Sequence, residues 1–277
     1  MIVSLTGALL RATATAVLIA LPAVLLPAST GGFDQIVVLG ALLASVLVFL
    51  EYNTTYPSMI EFRHAPPYNR LRFGAFGVTV IGLALILRQP EVPSIGGALL
   101  RELASMLGRM LDFPYSPVRL VLLLMPDGTA PARVDLVRDM AALSYAVSIT
   151  MIALFMAVLR GLGWPARNGA FNVWINLPML SQTTNGDIVP RMQIHAILNI
   201  LLGITLPFFL PGVAITASAL TGKITPPGPQ TMIWAVTLWA FLPAGLVMRG
   251  IAINRIASMI LRKRNRGSTT ARTVPAA

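Results

Sequence analysis

Apolar runs long enough to cross a bilayer alternate along the chain with shorter polar connections. A spanning helix needs about 20 mainly apolar residues, because each residue rises 1.5 Å against roughly 30 Å of hydrocarbon. Six runs meet or approach that length, at about 12–27, 35–50, 73–87, 140–159, 192–220 and 231–248. The first three are short and are expected to extend a turn into their flanks. The pattern predicts an all-α polytopic transmembrane bundle of six crossings over residues 1–261, with a basic disordered tail at 262–277. A signal peptide is the rival reading of the first run, which has Arg11 before it and Ala28, Ser29 and Thr30 after it. No small-x-Ala triplet follows the run, which favours its retention as a helix.

The long connection after the third run carries a second kind of pattern. From Ser94 onward, Ile95, Leu99, Leu100, Leu103, Met106, Leu107, Met110 and Leu111 recur at helical spacing, while Arg101, Glu102, Arg109 and Asp112 fill the other face. This predicts an amphipathic helix lying in the membrane interface. The apolar run 120–125 is too short to span, so it is a re-entrant or packed segment, or else joins the preceding helix in a hairpin. Pro131 marks the start of the fourth long helix near Ala132. Phe171, Val173, Trp174, Ile175 and Leu177, with Trp164 nearby, read as an interfacial anchor.

Composition agrees with the pattern and narrows the function classes. The 277 residues are 56% hydrophobic and only 11% charged, against about 25% charged in an average soluble domain. That excludes a soluble enzyme, a nucleic-acid-binding domain and a disordered protein, and implies an integral membrane protein. There is no Cys, and His64 and His195 are the only histidines, so thiolate chemistry and multi-His metal sites are not expected.

The net charge of +11 gains meaning from its placement. With the N-terminus in the cytoplasm and six crossings, fourteen Lys and Arg side chains fall inside and seven outside, while seven of the ten acidic residues fall outside. The positive-inside rule then puts both termini in the cytoplasm. Arg in preference to Lys, with abundant Ala, Gly and Pro, fits a bacterial source and therefore a bacterial inner membrane.

The densest polar cluster is the first inner loop. Glu51, Tyr52, Tyr56, Glu61, Arg63, His64, Tyr68, Arg70 and Arg72 fall within about twenty residues. Guanidinium–carboxylate pairs and interfacial tyrosines there suit docking to a partner or to lipid headgroups, or a rigid loop held by internal ion pairs. His195 and Asn199 are the candidate polar residues inside the fifth span. Pro207, Pro211 and Gly212 mark it as a candidate broken helix, which could free backbone groups for a solute.

Asp127, Gly128, Ala132, Arg133, Asp135 and Asp139 resemble the aspartate-rich motif of CDP-alcohol phosphotransferases, whose carboxylates hold metal ions against a pyrophosphate. One extra residue separates the Asp-Gly from the Ala-Arg, and the second Asp pair with its Gly is missing. The residues are therefore read as the solvated start of a helix, where acids suit the macrodipole. No Gly-x-Ser-x-Gly, His-Glu-x-x-His or P-loop sequence is present, and few ionisable groups fall within the spans.

The expectation is a non-enzymatic protein with no cofactor, serving as a structural, accessory or assembly component of a larger membrane complex. The alternative is a small carrier or channel for an uncharged or lipidic solute, built on the interrupted fifth span. Its expected partners are anionic lipid at the inner face and other membrane proteins, not nucleic acid.

Overall fold

The computed structural model describes residues 2–26, 33–54, 59–63, 65–165, 176–177, 187–221 and 228–273, with side chains over 5–26, 35–54, 59–63, 65–165, 176–177, 187–217 and 228–265. It is 84% helix, with no strand among the described residues. Eight helices follow one another: α1 Ile2–Leu25, α2 Phe33–Asn53, α3 Tyr68–Arg88, α4 Ile95–Leu111, α5 Pro117–Leu122, α6 Pro131–Gly161, α7 Ile188–Thr221 and α8 Pro229–Thr273. Six of them, α1, α2, α3, α6, α7 and α8, are long and apolar enough to cross a membrane. The chain is a multi-pass membrane protein.

Two boundaries differ from the sequence reading, and a third alternative is resolved. α1 begins at Ile2 instead of near residue 12, so Arg11 lies inside the helix and not before it. A single arginine does not end an apolar helix if its guanidinium finds partners, and Arg11 Nη1 donates to the Gly7 carbonyl at 2.7 Å. α8 runs to Thr273, beyond the expected end near Arg262. Arg262, Lys263, Arg264 and Arg266 are good helix formers that carry the helix on, and the next proline is Pro275. The run 120–125 is neither a crossing nor a hairpin arm. It is a packed segment, half of it in the six-residue α5 and half in the turn that follows, and Val118 and Val121 of α5 are buried among side chains of α6 and its neighbours.

The connection between α3 and α6 follows its sequence signals closely. Ser94 caps α4, its hydroxyl accepting from the Gly97 amide at 3.1 Å. Ser116 does the same for α5 through the Arg119 amide at 3.0 Å, with Pro117 in the first helical position. α4 turns Gly97, Ala104 and Gly108 inward and leaves Ile95, Leu99, Leu103, Met106 and Met110 exposed. That is the outward apolar stripe an interfacial helix needs.

The bundle is tightest where α7 and α8 run antiparallel. A methyl group on Gly203 would fall 2.5 Å from the Pro243 carbonyl oxygen, and one on Gly250 would fall 2.6 Å from that of Ala196. Small residues at such crossings let the backbones approach closely, which is the main source of helix association in lipid. α7 stays helical through Pro207 and Pro211 and is not broken there.

Buried side chains form two clusters. One, around Leu83, Met140, Ile233 and Trp239, lies toward the end of the bundle that carries α4 and α5. The other gathers Phe62, Tyr68, Phe155, Trp164, Met192 and Met248 at the opposite end. Trp164 is thus not an interfacial anchor. It is buried, its indole N–H donates to the Ala65 carbonyl at 3.1 Å, and its ring stacks near Tyr68 and meets Phe155 edge-on. Leu177 is also buried, while 171–175 lie outside the described residues.

Candidate functional site

The loop between α2 and α3 is a tied structure, and the ties border a cavity. Glu51, at the end of α2, is buried and accepts the Ile60 amide at 3.1 Å. Arg63 reaches back to the carbonyls of Glu51 and Thr54. Asn69, in the first turn of α3, donates to the Glu61 carbonyl at 2.8 Å. Between them Phe62 takes a left-handed backbone, φ 56°, a conformation costing a non-glycine residue about 1–2 kcal/mol. Its ring offsets that cost by packing 4.4 Å from Tyr68 and 5.7 Å from Trp164, centre to centre.

The side chain of Glu61 faces away from its own loop. Its two oxygens accept from Arg249 of α8 at 2.6 and 2.8 Å, in a bidentate pair that is mostly buried. Arg249 also donates to Asn199 of α7 at 3.2 Å, and Asn199 donates to the His195 carbonyl at 2.6 Å. One ion pair therefore joins the loop to both helices of the α7–α8 pair. His195 itself has an exposed side chain.

Residues 59–61 cover one end of a groove of about 610 Å³ between α1, α2, α3 and α8. Its long walls are apolar, with Val48, Phe73, Phe76 and Phe241. The end beneath the loop is polar, lined by Arg11, Tyr52, Glu61, Arg70, Arg72 and Arg249. Of these charges only Glu61 and Arg249 satisfy each other. Arg11, Arg70 and Arg72 have no carboxylate partner among the described residues.

Two of the three lean on aromatic rings instead. The Arg11 guanidinium lies 4.8 Å from the centre of the Tyr52 ring. That of Arg72 sits 5.6 Å from Tyr68 and 5.8 Å from Phe241, against Gly245. Such contacts hold a cation against a ring face, and Arg72 Nε is buried without an acceptor. The groove carries three guanidiniums in excess of its carboxylates, above an aromatic-lined trough.

The sequence reading found four of the lining residues: Tyr52, Glu61, Arg70 and Arg72. Glu51, Arg63 and Tyr68 prove to be supports of the loop and its aromatic cage, while Tyr56 and His64 lie outside the described residues. Arg11 and Arg249 were not expected there. Pro207, Pro211 and Gly212 line neither this groove nor a second, polar cleft between α4 and α6. In that cleft Arg138 pairs with Asp135 at 2.8 Å and Asp139 at 3.0 Å. The described residues hold no cluster of acidic and histidine side chains suited to a metal ion. Comparison with protein-family models, with curated proteins and with solved structures finds no match for this chain.

Proposed function

We propose that this chain is a non-enzymatic accessory component of a bacterial cytoplasmic membrane that holds an anionic amphiphile in the groove between α1, α2, α3 and α8. The observation that carries the reading is the unmatched charge of Arg11, Arg70 and Arg72 at the head of an apolar trough. Arg11 and Arg70 are exposed and Arg72 is half-buried, so an anion can reach them, and their forked donors suit carboxylate and phosphate oxygens. Aromatic walls below them suit an acyl or prenyl chain. The same groove favours a lipidic solute over an uncharged one.

Binding is favoured over catalysis because both nearby carboxylates are engaged. Glu61 is locked to Arg249 and Glu51 accepts a backbone amide, so neither is poised as a general base. The excess of Lys and Arg on this side supports a groove at the cytoplasmic leaflet, with both termini inside.

The test is the lipid that stays with the purified full chain in mild detergent, read by mass spectrometry. Phosphatidylglycerol, cardiolipin and other anionic lipids are expected to be enriched over phosphatidylethanolamine. The enrichment should fall at least several-fold in Arg11→Gln and Arg72→Gln. Equal retention of zwitterionic and anionic lipids by the unaltered protein overturns the reading.

A further inference from the structure

Resting on that reading, we infer that the amphiphile's headgroup is an unsubstituted phosphomonoester, in the class of phosphatidic acid or a polyisoprenyl monophosphate. Three features of the groove converge on this class.

The first is depth. Arg11 and Arg72 lie about 21 Å and 24 Å along the helix axis from the outer ends of α1 and α3 at Leu25 and Arg88. With Leu25 and Arg88 set at the outer edge of a hydrocarbon layer about 30 Å thick, Arg11 and Arg72 both sit short of its inner edge. Side chains lean toward a helix N-terminus, which here points inward, and that brings the guanidiniums up to the boundary. An anion that reaches them sits at or beneath the level of ordinary lipid phosphates.

The second is the cover. Met59, Ile60 and Glu61 line the groove and cross from α2 to α3 on its inner side. They are tied to α2 by the Ile60 amide, to α3 by Asn69 and to α8 by the Arg249 pair. A glycerol, ethanolamine or sugar on the far side of the phosphate would have to pass beside these residues. A bare phosphate would not.

The third is charge. A phosphodiester brings one negative charge, whereas a phosphomonoester brings about 1.5 to 2 at neutral pH and three strong acceptor oxygens. Three guanidiniums without carboxylates are better matched by the second. The buried Arg72 Nε, which has no acceptor, gains one.

The experiment compares phosphatidic acid, phosphatidylglycerol, oleate and inorganic phosphate as ligands of the full chain in zwitterionic nanodiscs. Phosphatidic acid is expected to bind at least ten-fold tighter than phosphatidylglycerol or oleate at pH 7.5. Inorganic phosphate is expected not to displace it. The advantage over phosphatidylglycerol should shrink as pH falls to 5, because the second ionisation of a phosphomonoester lies near 6. Phosphatidylglycerol has no ionisation in that range, so it controls for any effect of pH on the protein itself, whose Arg11, Tyr52, Glu61, Arg70, Arg72 and Arg249 face the groove. Arg72→Gln should abolish the preference, while Arg72→Lys keeps the charge and loses the fork, retaining part of it. The pH series on unaltered protein stands even if neither variant folds.

Equal binding of phosphatidic acid and phosphatidylglycerol overturns the monoester class and leaves the anionic-amphiphile reading intact. Equal binding of oleate assigns the groove to carboxylates and overturns it likewise. Displacement by inorganic phosphate makes the site one for the free ion. Binding of none of the anions overturns the proposed function itself.

Discussion

The indole N–H of Trp239 donates to the carbonyl of Pro207 at 3.1 Å, across the α7–α8 contact. In an unbroken helix that carbonyl would accept from residue 211, but residue 211 is a proline and has no N–H. A side chain of α8 thus fills the bond that α7 lacks. Replacing Trp239 with Phe keeps an aromatic ring near Tyr145 and leaves a buried carbonyl unpaired, which should destabilise the bundle by about 1–3 kcal/mol. Pro211→Ala restores a backbone N–H beneath Pro207, so the Trp239→Phe cost should be smaller in that background. A double-mutant cycle on thermal unfolding in detergent checks this, and additive effects would refute the pairing.

Gly203 and Gly250 set how closely the same two helices approach. An added methyl at either meets backbone oxygen, at 2.5 Å from Pro243 and 2.6 Å from Ala196, and backbone cannot rotate away as a side chain can. Gly203→Ala and Gly250→Ala are each expected to cost about 1–3 kcal/mol through overpacking. Gly40, with open space where its methyl would fall, is the matched control and should tolerate Ala with little change. Unfolding midpoints of the three variants, measured side by side, decide it.

The six spans were readable because a bilayer demands one simple property, about 20 apolar residues in a row, and helices α2, α3, α6, α7 and α8 satisfy it plainly. α4 was readable for a different reason: Ser94 signals its start and period-3.6 spacing its apolar stripe. The extent of α1 was misjudged because Arg11 looked like a boundary, when its partners, the Gly7 carbonyl and the Tyr52 ring, keep it within the helix. The site was half visible. Tyr52, Glu61, Arg70 and Arg72 cluster in sequence, so local composition exposed them. Arg249 lies 188 positions from Glu61, and no spacing rule links a loop carboxylate to a distant helix. Trp164 looked interfacial for a similar reason, since its acceptor at Ala65 is 99 positions away.

Glu61 and Arg249 offer a test in which stability and binding move apart. Removing one partner of a mostly buried ion pair strands the other, at about 3 kcal/mol or somewhat more. Glu61→Gln and Arg249→Gln should therefore both lower the unfolding midpoint. Their effects on the groove should have opposite signs. Glu61→Gln leaves four unmatched guanidiniums and should raise retention of anionic lipid, whereas Arg249→Gln adds none and should not raise it. Parallel loss of lipid in both variants would mean that the pair only shapes the loop.

Asp187 precedes α7 and caps it, one oxygen accepting the Val189 amide at 3.2 Å while both oxygens accept from Arg264 of α8 at 3.0 Å. The amide first, and the guanidinium after it, favour the carboxylate form and hold Asp187 below the ordinary aspartate range. A carboxylate whose pKa is depressed by folding stabilises the fold above its unfolded value near 4. That contribution is lost as pH falls through the lower, folded value. Fraying of the first turn of α7 should thus begin only below about pH 4. Arg264→Ala should raise the Asp187 midpoint only in part, because the Val189 amide remains. Asp187→Asn should remove the acid-dependent step while keeping an acceptor for the cap. Amide exchange at the start of α7, followed between pH 6 and pH 3 in the three proteins, reads all of this at once, and an unchanged acid step in Asp187→Asn would assign it to another group.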